Sequence, residues 1–260
     1  RRRMRAGVKP LGALAALIVL GTSMDAFGFL GFGDSASWKE EVLLHDGKII
    51  IAERKQTYGN KPTLDSRERA LIEEEWVFPI PAEGKSIVWK TNFRNPPEGE
   101  SLMLMLVGFI GDVPYLATSP AGCIAYNHWG RPNPPYVFFR YDGAQWQRIP
   151  LAEFPAEFKE ANVVVGGRGS PEKQSGKTLS VAMVHEQNKL LESHLHLLVR
   201  EPIKVAQTMC EEMVYDGKGG WMGVGFFRLQ PSYEACVKYC ESHGIRPPYC
   251  LCDKYFKKDN

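Results

Sequence analysis

The stretch Tyr136–Pro150, YVFFRYDGAQWQRIP, decides the fold class. A run of β-branched and aromatic residues reaches Asp142-Gly143, and a second short run follows it. Asp-Gly between two such runs predicts a β-hairpin, because a type I′ turn needs positive φ at both central residues. The same dipeptide recurs at Asp46-Gly47 and at Asp216-Gly217. Three such turns predict a mainly β protein of antiparallel hairpins, either sandwich-like or an open barrel.

Further strands are predicted on the N-terminal side of that hairpin. They form three pairs: Trp38–His45 with Lys48–Gln56, Trp76–Ile80 with Ser86–Thr91, and Leu102–Ile110 with Pro114–Thr118. The run Leu102–Ile110 is continuously apolar, which is typical of a buried strand. The polar stretch Thr57–Glu75 contains Gly59 and Pro62, so we expect a loop there.

Beyond residue 178 the apolar period changes to that of a helix. The apolar residues on one helical face are Val181, Val184, Leu191, Leu195 and Leu198, with Ser180 as a cap and Pro202 as a stop. Trp221–Phe227 predicts a strand, and Ser232–Ser242 predicts a helix that ends near Gly244. The whole is then α+β: a signal peptide at 1–28, a β-rich domain at 29–165, a glycine-rich loop at 166–178 and a helical, disulfide-stapled segment at 179–260.

The N-terminus is typical of an export signal. Basic residues up to Lys9 precede the apolar stretch Leu11–Leu20, and Ala26-Phe27-Gly28 offers small residues before a cut at Phe29. About ten apolar residues are too few for a permanent membrane helix. We therefore expect a periplasmic or secreted protein. The alternative is an inner-membrane protein anchored through residues 11–32, and such an uncleaved leader would be its only membrane contact.

Charge and motif content exclude two classes of partner. Five basic residues and one acidic residue precede Phe29, so their removal changes the net charge from +2 to −2. A chain so close to neutral has no bulk attraction to nucleic acid. Val163–Thr178 imitates a phosphate-binding loop, but Pro171 stands where the motif needs glycine, and proline lacks the N–H that would face a phosphate. We expect neither nucleic acid nor nucleotide as a partner.

The six cysteines are expected to form disulfides, since an even number follows an export signal. They are Cys123, Cys210, Cys236, Cys240, Cys250 and Cys252. On a helix Cys236 and Cys240 share a face, and the turn at Pro247-Pro248 can bring the last two cysteines back against it. This predicts the nested pairs Cys236–Cys252 and Cys240–Cys250, with Cys123–Cys210 remaining. A four-thiolate zinc site is the alternative, although the Cys-x-Cys spacing suits it poorly.

Other candidate chemistry is weak, so we predict no metal site and no cofactor. Cys123 and His128 could serve as nucleophile and base, but no orienting third group is visible. His194 and His196 lie on the predicted helix, where side chains two residues apart point about 200° apart. His185 opens a sequence that resembles H-E-x-x-H, but Lys189 replaces the second histidine.

The proline-rich loop Tyr126–Tyr136 is the preferred binding surface. Its candidate residues are His128, Trp129, Arg131 and Tyr136. Tryptophan, tyrosine and arginine dominate binding hot spots, and prolines hold the backbone at low entropic cost. The alternative is that Trp129 packs beneath the loop, because large aromatic residues are usually mostly buried.

Four segments carry a resemblance: SWKEEVLLHDGK, SPAGC, WGRPNPPYV and YEACVKYC. In them the chain resembles a group of uncharacterised exported proteins of proteobacteria. The resemblance covers most of the chain after the leader. It implies export and a single folded unit, and it carries over no catalytic residue.

Together these features predict an exported cell-envelope protein that acts as a non-enzymatic binding or accessory module. Its expected partner is another envelope protein or an envelope polymer. The alternative is a periplasmic hydrolase whose site is assembled only in three dimensions. A pocket holding His128 with two carboxylates, or a free Cys123 thiol, would favour the hydrolase. An aromatic patch around Trp129 with every cysteine paired would favour the binding module.

Overall fold

The computed structural model describes residues 35–62, 69–81, 84–167, 174–204 and 210–256. The predicted signal peptide at 1–28 and the alternative anchor at 11–32 lie outside these residues. Within the described ranges, no helix has the length and apolar character needed to cross a membrane.

Five strands form the first sheet. They are β1 (Ser35–Leu43), β2 (Ile49–Pro62), β3 (Arg69–Pro79), β4 (Ser86–Asn92) and β9 (Thr178–Leu179), in the order β4-β3-β2-β1-β9. Neighbouring strands from β1 to β4 are antiparallel, whereas β9 runs parallel to β1. Burial alternates along β1 and β4, so one face of the sheet is covered and the other is exposed.

Four strands form the second sheet, an antiparallel meander. They are β5 (Leu102–Ile110), β6 (Val113–Pro120), β7 (Val137–Tyr141) and β8 (Trp146–Ile149), in sequence order. The buried face of the first sheet packs on one face of this sheet in a shared core that includes Trp76, Phe78, Leu104 and Leu116. The predicted antiparallel, β-rich and sandwich-like architecture is confirmed.

The second sheet is buried on its other face as well. There Phe138 and Ile149 contact Phe154 and Phe158 of the following loop, and Leu198 of a later segment packs against the same cluster. Coverage on both faces explains why β5 is continuously apolar, as the sequence predicted.

The helices are short. They are α1 (Cys123–His128), α2 (Val181–Asn188), α3 (Ser193–His196), α4 (Gly225–Arg228), α5 (Tyr233–His243) and α6 (Cys252–Phe256), with 3-10 turns at Leu151–Glu153 and Val165–Gly167. Two small strands, β10 (Met213–Tyr215) and β11 (Trp221–Gly223), pair antiparallel. The predicted end of α5 is confirmed, since Gly244 ends the helix in the left-handed conformation. At its start Ser232 Oγ accepts from the Ala235 N–H.

All three Asp-Gly hairpins form, but the prediction of two-residue type I′ turns is wrong. The strands close at wider pairs, such as Tyr141 with Trp146, and in each Asp-Gly pair the glycine has positive φ but the aspartate does not. The aspartate closes each loop through its carboxylate instead. Asp142 Oδ1, for example, accepts hydrogen bonds from the N–H groups of Ala144 and Gln145.

Three further predictions need correction. The predicted loop Thr57–Glu75 is largely strand, because β2 continues to Pro62 and β3 begins at Arg69. The predicted strand Trp221–Phe227 stops at Gly223 and turns into α4. The long helix predicted from residue 181 ends at Asn188.

The helix that ends at Asn188 is interrupted because its apolar residues face two different cores. Val184 packs beside Trp38, whereas Leu191 and Leu198 pack on the second sheet. At the break, the buried Asn188 amide donates to the Val163 carbonyl and accepts from the Val165 N–H. Side-chain bonding to a neighbouring loop therefore replaces the next helical turn.

The predicted glycine-rich loop at 166–178 is described only in part, since residues 168–173 lie outside the described ranges. Immediately after it, β9 joins the first sheet. The described residues between 35 and 256 belong to one compact unit.

Candidate functional site

The six cysteines pair as the spacing predicted. The bonds are Cys123–Cys210, Cys236–Cys252 and Cys240–Cys250, and no cysteine is free. The first bond spans 87 residues and ties α1 to the chain just before β10. It thereby fixes the predicted binding loop against the C-terminal part.

Arg131 joins those two parts from within. Its backbone has φ 54°, and its guanidinium donates to Asn127 Oδ1 and to the carbonyls of Cys210 and Glu211. It also lies over the Tyr126 ring at 5.1 Å. The donors of Arg131 therefore stabilise the junction between the loop and the C-terminal part.

Tyr136 is buried, with 3% of its surface exposed. Its hydroxyl donates to the His194 carbonyl at 2.7 Å and accepts from the Val199 N–H. Burial raises the pKa of Tyr136 to about 12, against a smaller opposing effect of the Val199 N–H. This side chain anchors the 194–199 segment on the second sheet and is not presented at the surface.

His128 lies at the surface of the loop, whereas Trp129 also packs against the shared core. Trp129 is half-buried, and its indole N–H donates to the Glu100 carbonyl at 2.8 Å. Arg148 lies over its ring at 5.3 Å. His128 is exposed, and partial burial of its ring lowers the pKa of His128, against a smaller opposing effect of Glu100. The imidazole is therefore mainly neutral at pH 7.

These two residues belong to a longer line of rings, which we call the aromatic row. It consists, in spatial order, of Phe139, Trp129, His128, Trp221, Tyr215 and Tyr249. Neighbouring ring centroids are 5.3–6.1 Å apart. The row runs from the second sheet across the α1 loop to the disulfide-stapled tail.

Internal hydrogen bonds fix the two tryptophans of the row. Trp129 donates to Glu100, and Trp221 donates to the Pro96 carbonyl at 2.6 Å, so both bond the loop between β4 and β5. With their N–H groups satisfied inside the protein, the indoles hold one orientation, and both rings remain half-buried. The row is therefore a rigid, partly exposed aromatic surface.

Sequence reasoning identified Trp129 and His128 but missed the other members of the row. A partial signal was present, because Tyr215 and Trp221 flank the Asp216-Gly217 turn and are cross-strand partners. Period-2 alternation places such partners on one face. Nothing in the local sequence indicated that this hairpin would lie beside His128.

A separate cleft of about 280 Å³ contains titratable groups. His45, His185, Glu41 and Glu160 line it. Glu41 is partly engaged, since its Oε2 accepts from the Val181 N–H at the start of α2, and His45 makes an edge contact with Phe158. Among the described residues, only Cys236, Cys240 and Cys252 bring three potential metal-ligand atoms close enough to share an ion.

A buried ionic network lies within the first sheet. Arg54 Nε and Nη2 donate to Glu74 Oε2, and Nη1 donates to Glu40 Oε1. The Arg54 guanidinium also lies between the rings of Trp38 and Trp76, 5.0 and 4.5 Å from their centroids. All three charged residues are at most 2% exposed, so this network joins β1, β2 and β3 from within.

Comparison with protein-family models, with curated proteins and with solved structures finds no match to this chain.

Proposed function

We propose that this chain is an exported cell-envelope protein that acts as a non-enzymatic binding or accessory module, with the aromatic row as its binding surface. The rigid aromatic row is the observation that carries the proposal. Rings already held in one orientation lose little conformational entropy on binding. Aromatic residues at the centre of an interface also supply much of its binding energy.

Paired cysteines support the export part of the proposal. Three disulfides in one chain are typical of a protein that matures in an oxidising compartment. Non-reducing mass spectrometry of the natively produced protein tests this directly, because it reads the mature N-terminus and the disulfide pairs together. An intact leader with six titratable thiols would contradict export.

Pairing of Cys123 also supports a binding role over catalysis. A disulfide sulfur is no nucleophile, so Cys123 offers no thiolate that His128 could activate. The contacts of His128 are instead to the rings of Trp129 and Trp221. His128 is therefore assigned to the binding surface and not to a catalytic pair.

Site-directed photocrosslinking in intact cells tests the binding surface. A photoreactive phenylalanine analogue at His128 should form an adduct with the partner. Protease and glycosidase digestion of that adduct then distinguishes an envelope protein from an envelope polymer. The matched control carries the same analogue at Leu190, which is 77% exposed and outside the row.

Replacement of a tryptophan of the aromatic row is the second part of the crosslinking test. Trp221→Ala in the His128-labelled protein should reduce the adduct yield at least about tenfold, the scale of a binding hot spot. Equal yields from the two label positions, or a yield unchanged by Trp221→Ala, would contradict the aromatic row as the binding surface.

A periplasmic hydrolase is the second candidate, and the cleft beside His45 and His185 is the observation that favours it. Two imidazoles near Glu41 and Glu160 are groups that general acid–base catalysis can use. Turnover of ester, amide and glycoside substrates that is abolished in the double variant His45→Ala/His185→Ala, but kept in Trp221→Ala, would support the hydrolase.

A further inference from the structure

The two disulfides of the tail bring four sulfur atoms into one cluster. Cys240 Sγ lies 3.7 Å from Cys252 Sγ, and Cys250 Sγ lies 3.4 Å from Cys252 Sγ, although neither pair is bonded. The sulfurs of Cys236, Cys240 and Cys252 all lie within 4.8 Å of one another. We call these four side chains the sulfur cluster.

We propose that the sulfur cluster, once its two disulfides are reduced, is a binding site for a single soft divalent cation of the zinc class. In a tetrahedral four-thiolate site the metal–sulfur distance of about 2.3 Å sets sulfur–sulfur edges of about 3.8 Å. The unbonded separations of 3.4 and 3.7 Å already approach that edge. Once the two S–S bonds are broken, the formerly bonded sulfurs can also move apart to that edge length.

The backbone already holds the four cysteines close together. Cys236 and Cys240 project from one face of α5, one helical turn apart. Cys252 starts α6, and the Cα atoms of the two bonded pairs are 5.7 and 5.9 Å apart. Two ligands therefore come from one helix and two from the returning segment.

The surroundings favour a closed structural site. Cys236, Cys240 and Cys252 are buried beside Phe227 and Ile245, whereas Cys250 is half-buried. An apolar shell excludes competing water, and the more exposed Cys250 leaves one side from which a reductant and an ion can approach. Thiolates are the ligands that zinc-class cations prefer over harder cations such as magnesium.

Reduction of the sulfur cluster consumes two molecules of a dithiol. Each disulfide takes two electrons and two protons from one dithiol, which leaves as its cyclic disulfide, and two disulfides therefore yield four thiols. Binding of the cation then releases the four thiol protons. In the reverse exchange two molecules of the cyclic disulfide take four electrons from the thiolates and four protons from solvent, leave as dithiols and so expel the cation. Disulfide and metal are therefore exclusive states of the same four residues.

Cobalt titration of the full chain tests the proposal. The protein is reduced anaerobically with a phosphine, and Co²⁺ is added while the visible spectrum is recorded. We expect one Co²⁺ per chain with the thiolate charge-transfer and tetrahedral ligand-field bands, and displacement by Zn²⁺. The oxidised protein should show neither band.

Matched cysteine variants locate the site. Cys252→Ser should weaken Co²⁺ binding at least tenfold and shift the bands, whereas the double variant Cys123→Ser/Cys210→Ser should bind as the reduced parent does. Because ion binding to such a site also drives folding, Zn²⁺ should restore the near-UV circular dichroism of the reduced tail.

Three results would overturn the proposal. They are a spectrum of octahedral Co²⁺ only, equal affinity in Cys252→Ser, and Zn²⁺ binding that leaves the near-UV signal unchanged. The last would show that the ion is held by an unfolded chain. None of these results bears on the aromatic row, so this proposal and the proposed function fail separately.

Discussion

Replacement of Arg54 by methionine should destabilise the protein by about 3–5 kcal/mol at pH 7, the cost of leaving buried charge without its partner. The guanidinium donates to Glu74 at 2.9 and 2.6 Å, to Glu40 at 3.3 Å and to the Val164 carbonyl at 2.7 Å. Methionine fills much of the volume between the flanking rings but offers no donor. Two carboxylates that are 0% and 1% exposed would then lack a cation.

The remaining donors place this cost nearer the lower end of the range. Glu74 keeps its hydrogen bonds from Gln56 and Trp76, and Glu40 keeps those from Trp38 and the Val164 N–H. The carboxylates therefore stay hydrogen-bonded in the variant, and the loss is mainly that of the compensating charge. About 3 kcal/mol is a loss of over a hundredfold in the folding equilibrium constant.

The cost should shrink in acid, and this dependence identifies its cause. Burial raises the pKa of Glu40 from its ordinary value of 4.5 even with Arg54 present. A raised folded-state pKa stabilises the fold below pH 4.5, and that contribution is lost as the pH rises through the raised value. Without Arg54 the effect grows, so the variant should approach the wild type as the pH falls from 7 towards 4.5.

Urea unfolding followed by tryptophan fluorescence measures this cost, because Trp38 and Trp76 contact the guanidinium. The matched control is Lys39→Met on the exposed face of the same sheet. Lys39 and Glu53 form a 3.0 Å ion pair, but their side chains are 53% and 58% exposed, so its loss should cost less than about 1 kcal/mol. Equal costs for the two variants, or an Arg54→Met cost that does not depend on pH, would refute the reasoning.

Three further predictions concern packing and crosslinks. Tyr136→Phe should cost about 1–2 kcal/mol in urea unfolding, because a buried carbonyl and N–H lose their partner. Gly108→Ala should lower the melting temperature, since a Cβ there overlaps the Phe158 ring, whereas Gly59→Ala, with no atom closer than 3.8 Å to its new Cβ, should change it little. Serine at both ends of the Cys123–Cys210 bond should cost about 4–5 kcal/mol in the chain-entropy model for a loop of 87 residues; less than about 1 kcal/mol would contradict that model here.

Local rules of the sequence determined the strands, the caps and the sulfur pairing. The Asp46-Gly47 pair between two strand-like runs placed the first hairpin, and Ser232 with Gly244 bounded α5. Each of these signals acts within a few residues, where steric and hydrogen-bond preferences are strong. The nested disulfides were predictable because helical spacing puts Cys236 and Cys240 on one face. The proline turn then brings Cys250 and Cys252 back against that face.

The same local rules could not distinguish between ways of closing a turn. An Asp-Gly pair suits both a two-residue type I′ turn and a wider loop closed by the aspartate carboxylate. Pairing of the flanking strands selected the wider loop, as the hydrogen bonds of Asp142 show. Cross-strand pairing likewise extended β2 and β3 into a stretch whose composition indicated a loop.

Residue type alone did not reveal the contacts of two of the predicted binding residues. Arg131 and Tyr136 are common in binding sites, yet here they satisfy backbone groups of distant segments. For Arg54 the reverse holds: residue type indicated only one more charged residue in a predicted strand, yet it lies at the centre of the buried ionic network. Because side chains alternate between the two faces of a strand, Arg54 lies on the same face as Ala52 and Gln56. Its hydrogen bonds to Glu40 and Glu74 compensate for the cost of burying its charge.

The sequence by itself thus determined the antiparallel strands and the stapled tail. The tertiary structure alone decided the aromatic row, whose rings come from positions as far apart as Trp129 and Tyr249, and the ionic network across β1, β2 and β3. The physical reason is one of range. Backbone preferences and side-chain periodicity act over a few residues, whereas a shared surface or a buried charge depends on which distant segments the core brings together.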